Sequence, residues 1–385
     1  MKNLILISLD TVRADVAYSG KFPNIEKLRR IGVTFLNTIS SSPFTPASHA
    51  TIFTGLQPYN HGIRHLFREK IKKNAKTLAE IVKEHGYKTG AIASCPGMNK
   101  WYGFSRGFDD YDDEIPKLPD GSDPLKTVDV KKRGAALKRA NLVVDRAKKW
   151  LQKNQKENFF LFVHFFDAHW PYNAPEKFGG TNAYEEEIAF TDHYLGNLID
   201  FLKKYNLFEN TTIVCLSDHG EGLEGWYPND KGGNKLGHPE ESGHGCLLYD
   251  QTQKVVLIIK DNNLPKGKEI SKQVRLVDVH PTILDLLDIK ETNNIDGLSL
   301  APIVNDKSTM SQLPAYSETF YPEEQTQSSG KYGFAKNKIS IRSENSYKII
   351  FNLNSSEIEI YDLNKDEYEK NNLYNGPKRQ LTINE

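Results

Sequence analysis

Three apolar runs, LILIS, FFLFVHFF and TIVCLS, each lead into acidic or imidazole side chains: Asp10, then Asp167 and His169, then Asp218 and His219. Runs this short, rich in β-branched and aromatic residues and bounded by turn residues, fit strands buried on both faces. In an open parallel sheet, ligands bind just beyond the carboxyl ends of the strands. The pattern therefore gathers these polar residues at one site.

Five strands are predicted, Leu4 to Leu9, Lys88 to Ser94, Phe159 to Phe166, Thr211 to Ser217 and Lys254 to Ile259. Helices are predicted at Asn24 to Ile31, Thr77 to His85, Gly134 to Asn154, Tyr184 to Tyr205 and Pro281 to Leu287. The alternation predicts an α/β fold, a mostly parallel sheet covered by helices on both faces. In the fourth helix Ile188, Leu195, Leu198, Ile199 and Leu202 recur at helical spacing, which assigns Glu185, Glu187, Asp192 and Lys203 to a solvated face. Beyond about residue 310 short runs alternate with turn chemistry, as in Lys338 to Arg342, Ser346 to Asn352 and Glu357 to Tyr361. These read as antiparallel hairpins of a small subdomain, 311–385, packed on a catalytic part, 1–310. Gly222 to Glu241 carries too many glycines and prolines for a regular element and is expected to be a long functional loop.

The 50 basic residues balance 50 acidic ones, which leaves no electrostatic footprint for a nucleic-acid polymer. No apolar run reaches the ~18 to 20 residues needed to span a bilayer. Asp10, Arg13 and Asp15 interrupt the N-terminal run where a signal peptide would continue, so a soluble cytoplasmic protein is expected. Cys95, Cys215 and Cys246 are too few and too scattered for a disulfide framework and read as core thiols.

Asp218 and His219 at one strand end can aim a carboxylate and an imidazole at a single cation, with Mn²⁺, Mg²⁺, Ca²⁺ or Zn²⁺ suited to such donors. A second concentration is SSSPFTPASHATIFTGLQPYNHGIR, residues 40–64. Pro46 suits the first position of a helix, with Thr45 as its N-cap. The same placement puts the Thr45 hydroxyl at the positive end of a helix dipole, where a metal-bound hydroxyl would be an activated nucleophile. His164, inside an apolar run, reads as a hydrogen-bonded core histidine; His193 reads as a surface residue; His61 and His238 read equally well as exposed loop residues.

These segments together resemble the sulfatase branch of the alkaline phosphatase superfamily. LILISLDTVRAD resembles the first metal-ligand strand, TPASHATIFTGLQPYNHG the nucleophile signature, FVHFFDAHWPY a substrate-pocket motif and SDHGEGL the Asp-His metal pair. GHGCLLYDQTQKVVLIIK, VDVHPTILDLLDI with DGLSLAPI, YSET and IYDLNKDEYEKNNL follow in the family's order. The resemblance implies a three-layer α/β/α sandwich with a smaller C-terminal subdomain. It also implies a metal held by Asp10, Thr45, Asp218 and His219, and catalytic roles for Thr45, His49, His169 and His244.

The departures are informative. Counting back from Thr54-Gly55, the nucleophile position falls on Thr45, with Ala47 and His49 where the family has Pro and Arg. Sulfatases oxidise a Cys or Ser there to formylglycine; a threonine would yield a ketone, so no formylglycine is expected. An unmodified Thr resembles the superfamily's phosphodiesterases, phosphonate monoester hydrolases and phosphoglycerol transferases. Thr11 stands where sulfatases carry a second adjacent Asp, and Ser94 and Asn99 stand in place of their Lys and His. The expected activity is therefore metal-dependent cleavage of phosphate diesters or of phosphonate or phosphate monoesters through Thr45. His169 and His244 would stabilise the transferring group or protonate the leaving oxygen, His49 would orient Thr45, and Glu221 would support the metal pair. A second metal at Asp167, His169 and His244, as in nucleotide pyrophosphatases, is the mechanistic alternative. The other readings are a sulfuric ester hydrolase, a phosphoglycerol-type transferase and a non-catalytic binding module. Arg64 and Tyr172 are candidate substrate contacts; the partner is a small-molecule ester, and homo-oligomerisation is left open.

Overall fold

A computed structural model describes residues 1–129, 138–223, 241–290, 294–305, 313–322, 337–353, 355 and 357–374. Its centre is an eight-stranded sheet in the order Lys268–Ile270, Val33–Phe35, Leu257–Lys260, Thr211–Leu216, Asn3–Leu9, Phe159–Phe165, Lys88–Ile92, Asp110–Asp112. All neighbours pair in parallel except Leu257–Lys260, which runs antiparallel to both strands beside it. The predicted strand Lys254 to Ile259 is in fact two: Lys254–Val255 pairs with Thr38–Ile39 in a separate three-stranded sheet, and only Leu257–Lys260 joins the main one.

Alternation along the three central strands builds a layer on each face. Leu4, Leu6, Phe160, Phe162, Val214 and Leu216 point to one side, where they meet the helices Thr45–Thr54, Leu78–Glu84 and Val279–Leu286. Ile5, Ile7, Leu161, Val163, Ile213 and Cys215 point to the other, against Pro23–Ile31, Ala140–Asn154 and Ala183–Lys204. The expected three-layer α/β/α sandwich is the architecture found. The predicted helix Gly134 to Asn154 is described from Ala140, and residues 134–137 lie outside the described residues.

The long helix departs from its periodicity reading. Glu185, Glu187 and Asp192, assigned to a solvated face, are buried. Glu187 forms an ion pair with Arg139, and Asp192 accepts from the Asn24 and Ile25 amides at 3.1 and 2.7 Å, so it caps the Pro23–Ile31 helix from outside. Burial raises both carboxyls despite these partners, which offset only part of the desolvation, and amphipathic spacing alone does not register such partners. His193 is exposed, as expected.

The C-terminal hairpins are present: Ala315–Thr319, Lys338–Arg342, Tyr347–Asn352 and Ile358–Asp362 form a four-stranded antiparallel sheet. Ile350, Tyr361 and Leu363 pack against Cys246 to Tyr249. The edge strand reaches further: Ser317 Oγ donates to the Ser40 carbonyl at 2.6 Å and the Glu318 amide to the Ser41 carbonyl at 3.0 Å. The small sheet thus braces the segment that leads into the helix bearing Thr45.

Candidate metal centre and nucleophile

The outer-face alternation that buries Leu4 and Leu6, Phe160 and Phe162, Val214 and Leu216 continues into Ser8 and Asp10, His164, and Asp218. Polar side chains therefore line one face at the carboxyl ends of three adjacent strands, directly beneath the helix Thr45–Thr54.

That helix begins one residue earlier than the proline suggests. Phe44, at φ −147°, is the N-cap, Thr45 is the first helical residue and Pro46 the second. The Thr45 side chain makes no capping bond. Its Oγ1 donates to Asp10 Oδ2 at 3.2 Å and lies 3.4 Å from His219 Nε2. The helix is pinned over the strand ends by Ser40 Oγ and Ser48 Oγ, which donate to the Asp218 carbonyl at 2.6 and 2.7 Å. Gly97 follows the Lys88–Ile92 strand and comes so close that a Cβ there would lie 3.6 Å from Thr45 Cβ.

Asp10, Asp218 and His219 offer ligand atoms within 4.8 Å of one another, and all are buried. Thr11 turns the chain at φ +61°, a left-handed conformation that costs a β-branched residue energy. The Tyr184 hydroxyl holds this turn by donating to the Thr11 carbonyl at 2.8 Å. The Thr11 amide then donates to Asp218 Oδ1 at 3.2 Å, beside the His219 amide at 2.9 Å. Asp10 Oδ1 and Asp218 Oδ2 are buried with no hydrogen-bond partner. Burial pushes both carboxyls above their ordinary range, and Asp10 raises Asp218 further. Two orphaned, buried, mutually repelling carboxylate oxygens are the donor set that a divalent cation would neutralise.

The tautomers follow from the partners. His219 Nδ1 faces the Gly220 carbonyl at 2.9 Å; a carbonyl only accepts, so Nδ1 carries the proton and Nε2 presents its lone pair toward Asp218 and Thr45. His169 is held in the same way by the Trp170 carbonyl at 2.6 Å, and His244 Nδ1 faces Glu221 Oε1 at 2.8 Å. The ring centroids of His169 and His244 are 4.8 Å apart, those of His219 and His244 4.3 Å. Burial lowers His169 to about 4, and burial followed by His219 holds His244 well below the ordinary imidazole range. Both are neutral imidazoles with Nε2 free to accept a proton. Burial lifts Glu221 to about 7.

His49 is fully buried. Its Nδ1 faces the Thr45 carbonyl at 2.9 Å and Asp218 Oδ2 at 3.4 Å, and its Nε2 meets Ser8 Oγ at 2.9 Å. It therefore touches the backbone of residue 45 and the Asp218 carboxylate, not the Thr45 hydroxyl.

Other expected residues lie elsewhere. Asp167 Oδ1 pairs with Arg139 at 2.9 Å and accepts from the Ala140 amide at 3.1 Å, so the second-metal grouping with His169 and His244 is not assembled. Among the described residues the one further candidate group is Asp10, Cys95 and His164. His61, expected in an exposed loop, is buried: Nδ1 accepts from the Ile63 amide at 3.1 Å and Nε2 meets Thr51 Oγ1 at 3.1 Å, which makes it a staple of the helix turn. Arg64 is spent on Glu318 at 2.7 and 2.9 Å. Tyr172 is buried, and its hydroxyl partly offsets the rise that burial imposes on Glu221, the residue behind His244. His238 and residues 224–240 of the expected loop lie outside the described residues.

The Sulfatase family model matches residues 2–289. The chain belongs to the sulfatase family. A second model, N-sulphoglucosamine sulphohydrolase, C-terminal, matches residues 245–385 of this sulfatase-family chain. Arylsulfatase K of Rattus norvegicus is 21% identical over 375 residues, which cover 80% of this chain and 64% of that protein, so the chain spans less than two thirds of that relative. The phosphonate monoester hydrolase of Agrobacterium radiobacter superimposes with a TM-score of 0.74 at 20% identity, over 97% of this chain and 91% of that one. BT4656, solved with its substrate D-glucosamine-2-N,6-O-disulfate, gives 0.73 at 18% identity, over 97% and 93%. At these identities the structural likeness establishes the fold. The named relatives are chiefly sulfatases, with phosphonate monoester hydrolases among the structural neighbours.

Proposed function

We propose that this sulfatase-family chain is a metal-dependent hydrolase that transfers the oxyanion group of a small-molecule ester to Thr45 and then to water. The observation that carries the reading is the position of Thr45 Oγ1, a buried hydroxyl 3.2 Å from Asp10 Oδ2 and 3.4 Å from His219 Nε2. Asp10, Asp218 and His219, with the Thr45 oxygen, would hold one divalent cation. When bound, the cation lowers the pKa of the hydroxyl and neutralises an anionic oxygen of the substrate. Asp10 Oδ2 receives the hydroxyl hydrogen bond and fixes the direction of attack. His169 and His244, neutral and with Nε2 free, take and return protons at the leaving and entering oxygens, with Glu221 as the reserve behind His244. His49 holds the residue-45 backbone and Asp218 in register.

Sulfuric esters come first as substrates, because the curated and solved relatives are named for sulfate removal. A specific observation supports phosphate diesters or phosphonate monoesters as the second reading. Thr45 is a secondary alcohol that cannot become an aldehyde hydrate, and the ester it forms must be opened by attack at sulfur or phosphorus. The phosphonate monoester hydrolase among the structural neighbours is compatible with it. Rates on 4-nitrophenyl sulfate, bis(4-nitrophenyl) phosphate and a phenylphosphonate monoester, measured side by side with Mn²⁺, test the proposal. A kcat/KM highest on the sulfate supports the first reading, highest on a phosphorus ester the second, and no metal-dependent turnover on any of them sinks both.

Residues 311–385 are proposed as a subdomain that braces the catalytic part, supported by the Ser317 and Glu318 bonds to Ser40 and Ser41. Among the described residues no helix is long and apolar enough to cross a membrane. A cytoplasmic location is proposed on the three buried, unpaired cysteines alone.

A further inference from the structure

We propose that Ser94 and His164 form a positioning pair that aims Asp10 at the cation; the inference rests on the metal reading above. His164 lies on the strand Phe159–Phe165, in register with Ser8 and on the face that bears Asp10. Its Nδ1 is approached by two groups of Ser94, the backbone amide at 3.4 Å and Oγ at 2.9 Å. An amide N–H only donates, so Nδ1 is the lone-pair nitrogen and the ring proton sits on Nε2. Nε2 therefore donates to Asp10 Oδ2 at 3.0 Å. That oxygen also receives Thr45 Oγ1 at 3.2 Å and is occupied, while Asp10 Oδ1 is buried with no partner. The pair thus sorts the two oxygens of one carboxylate, one for the protein and one for the cation.

This tautomer is opposite to that of His219, whose Nδ1 is tied to a carbonyl and whose Nε2 faces Thr45 and Asp218. A donating Nε2 cannot ligate, so His164 acts through Asp10. The ring is fully buried between Ser94 and Asp10. The competing arrangement is a second, softer cation at Asp10, Cys95 and His164, whose ligand atoms also lie within 4.8 Å of one another. It would require Nε2 to surrender its proton and Oδ2 its hydrogen bond.

The test is calorimetric titration of Mn²⁺ into the chelator-stripped full chain, with metal stoichiometry by mass spectrometry and melting temperature of the stripped proteins. Wild type is expected to bind one cation. His164→Leu should weaken binding about 10- to 100-fold, the range for residues that orient a metal ligand. His164→Gln, whose side-chain amide can donate to Oδ2, should recover most of that loss even where its stripped protein melts no higher than His164→Leu. If His164→Leu does not fold, Ser94→Ala carries the test and should weaken binding by a smaller factor. Undiminished affinity in the folded leucine variant, or equal losses in the leucine and glutamine variants, overturns the pair. So do two cations per wild-type chain with one lost in Cys95→Ser. A wild-type protein that binds no divalent cation removes the metal reading and this inference with it.

Discussion

The Thr45 hydroxyl and His219 Nε2, 174 residues apart in the chain, stand 3.4 Å from each other in a pocket of carboxylates. Neither residue is placed there by local structure alone. Thr45 arrives on the first turn of a helix that is laid across the sheet by Ser48 and Ser40, and His219 arrives on the turn after a strand. Both serines bond the carbonyl of Asp218, so the elements that carry the hydroxyl and the imidazole share one anchor.

The first prediction concerns that hydroxyl. Thr45→Ala removes Oγ1 but keeps the helix former and the adjacent proline, so melting temperature should stay within a few degrees of wild type while turnover falls by at least about 10³-fold, as expected when a nucleophile is lost. Thr45→Ser keeps the oxygen and should retain measurable turnover on the same ester. Near wild-type kcat in the alanine variant would take residue 45 out of the chemistry.

The second concerns the cation. A ligand bound by the native state alone stabilises by about 2.7 kcal/mol at 100 times its Kd. Chelation should therefore lower the melting temperature of the wild type, and Mn²⁺ should restore it. Asp218→Asn, which leaves the backbone anchor to Ser40 and Ser48 intact, should abolish the Mn²⁺-dependent rise. Differential scanning fluorimetry across a metal titration reads both effects; a metal response equal to wild type in the variant would exclude Asp218 as a ligand.

Asp10, Asp218 and His219 were legible because strand ends are where open sheets bind ligands, and the short apolar runs mark those ends without ambiguity. His164 was hidden for a physical reason: inside an aromatic run it looks like a core residue, and it is one, buried and fully hydrogen-bonded. The available signal was parity. Positions 160, 162 and 164 share a face with 4, 6, 8 and 10, so a period-two count would have set His164 beside Asp10. Asp167 misled because a carboxylate after a strand serves equally well to receive Arg139 and the first amide of the Ala140–Asn154 helix. Thr45 as N-cap failed by one residue, since the helix takes Phe44 as its cap and thereby releases the hydroxyl.

A third prediction tests the turn behind His219. A Cβ on Gly220 would sit 2.0 Å from the Gln251 carbonyl, a clash with backbone that no side-chain rotation relieves. The Gly220 amide donates to the Thr252 carbonyl at 2.9 Å and its own carbonyl holds His219 Nδ1 at 2.9 Å, so displacement of this residue rotates the imidazole. Gly220→Ala should cost about 1–3 kcal/mol in stability and weaken Mn²⁺ binding without altering any proposed ligand. Equilibrium urea unfolding and a metal titration separate the two effects. Wild-type values in both would show that this turn yields freely.

The fourth concerns the brace between the small sheet and the rest of the molecule. Asp250 receives Arg342 at 2.6 Å and Lys348 at 3.1 Å, and Lys348 also meets Glu369 at 2.7 Å. Burial opposes the Asp250 charge, but the two cations outweigh it and hold the carboxyl well below the usual carboxylate range. A folded-state pKa below the unfolded value of about 3.9 gives stability that is fully present above that value and is lost as pH falls through the folded one. Asp250→Asn leaves Arg342 and Lys348 against a neutral group and should cost about 3 kcal/mol at pH 7, the lower figure for a broken buried pair. The gap between wild type and variant should narrow steadily below pH 4, where the carboxylate of the unfolded wild-type chain takes up a proton that the folded one still refuses. Denaturant midpoints at pH 7, 4 and 3 measure the gap; a gap that is constant across the three would mean that the Asp250 charge does not hold the small sheet in place.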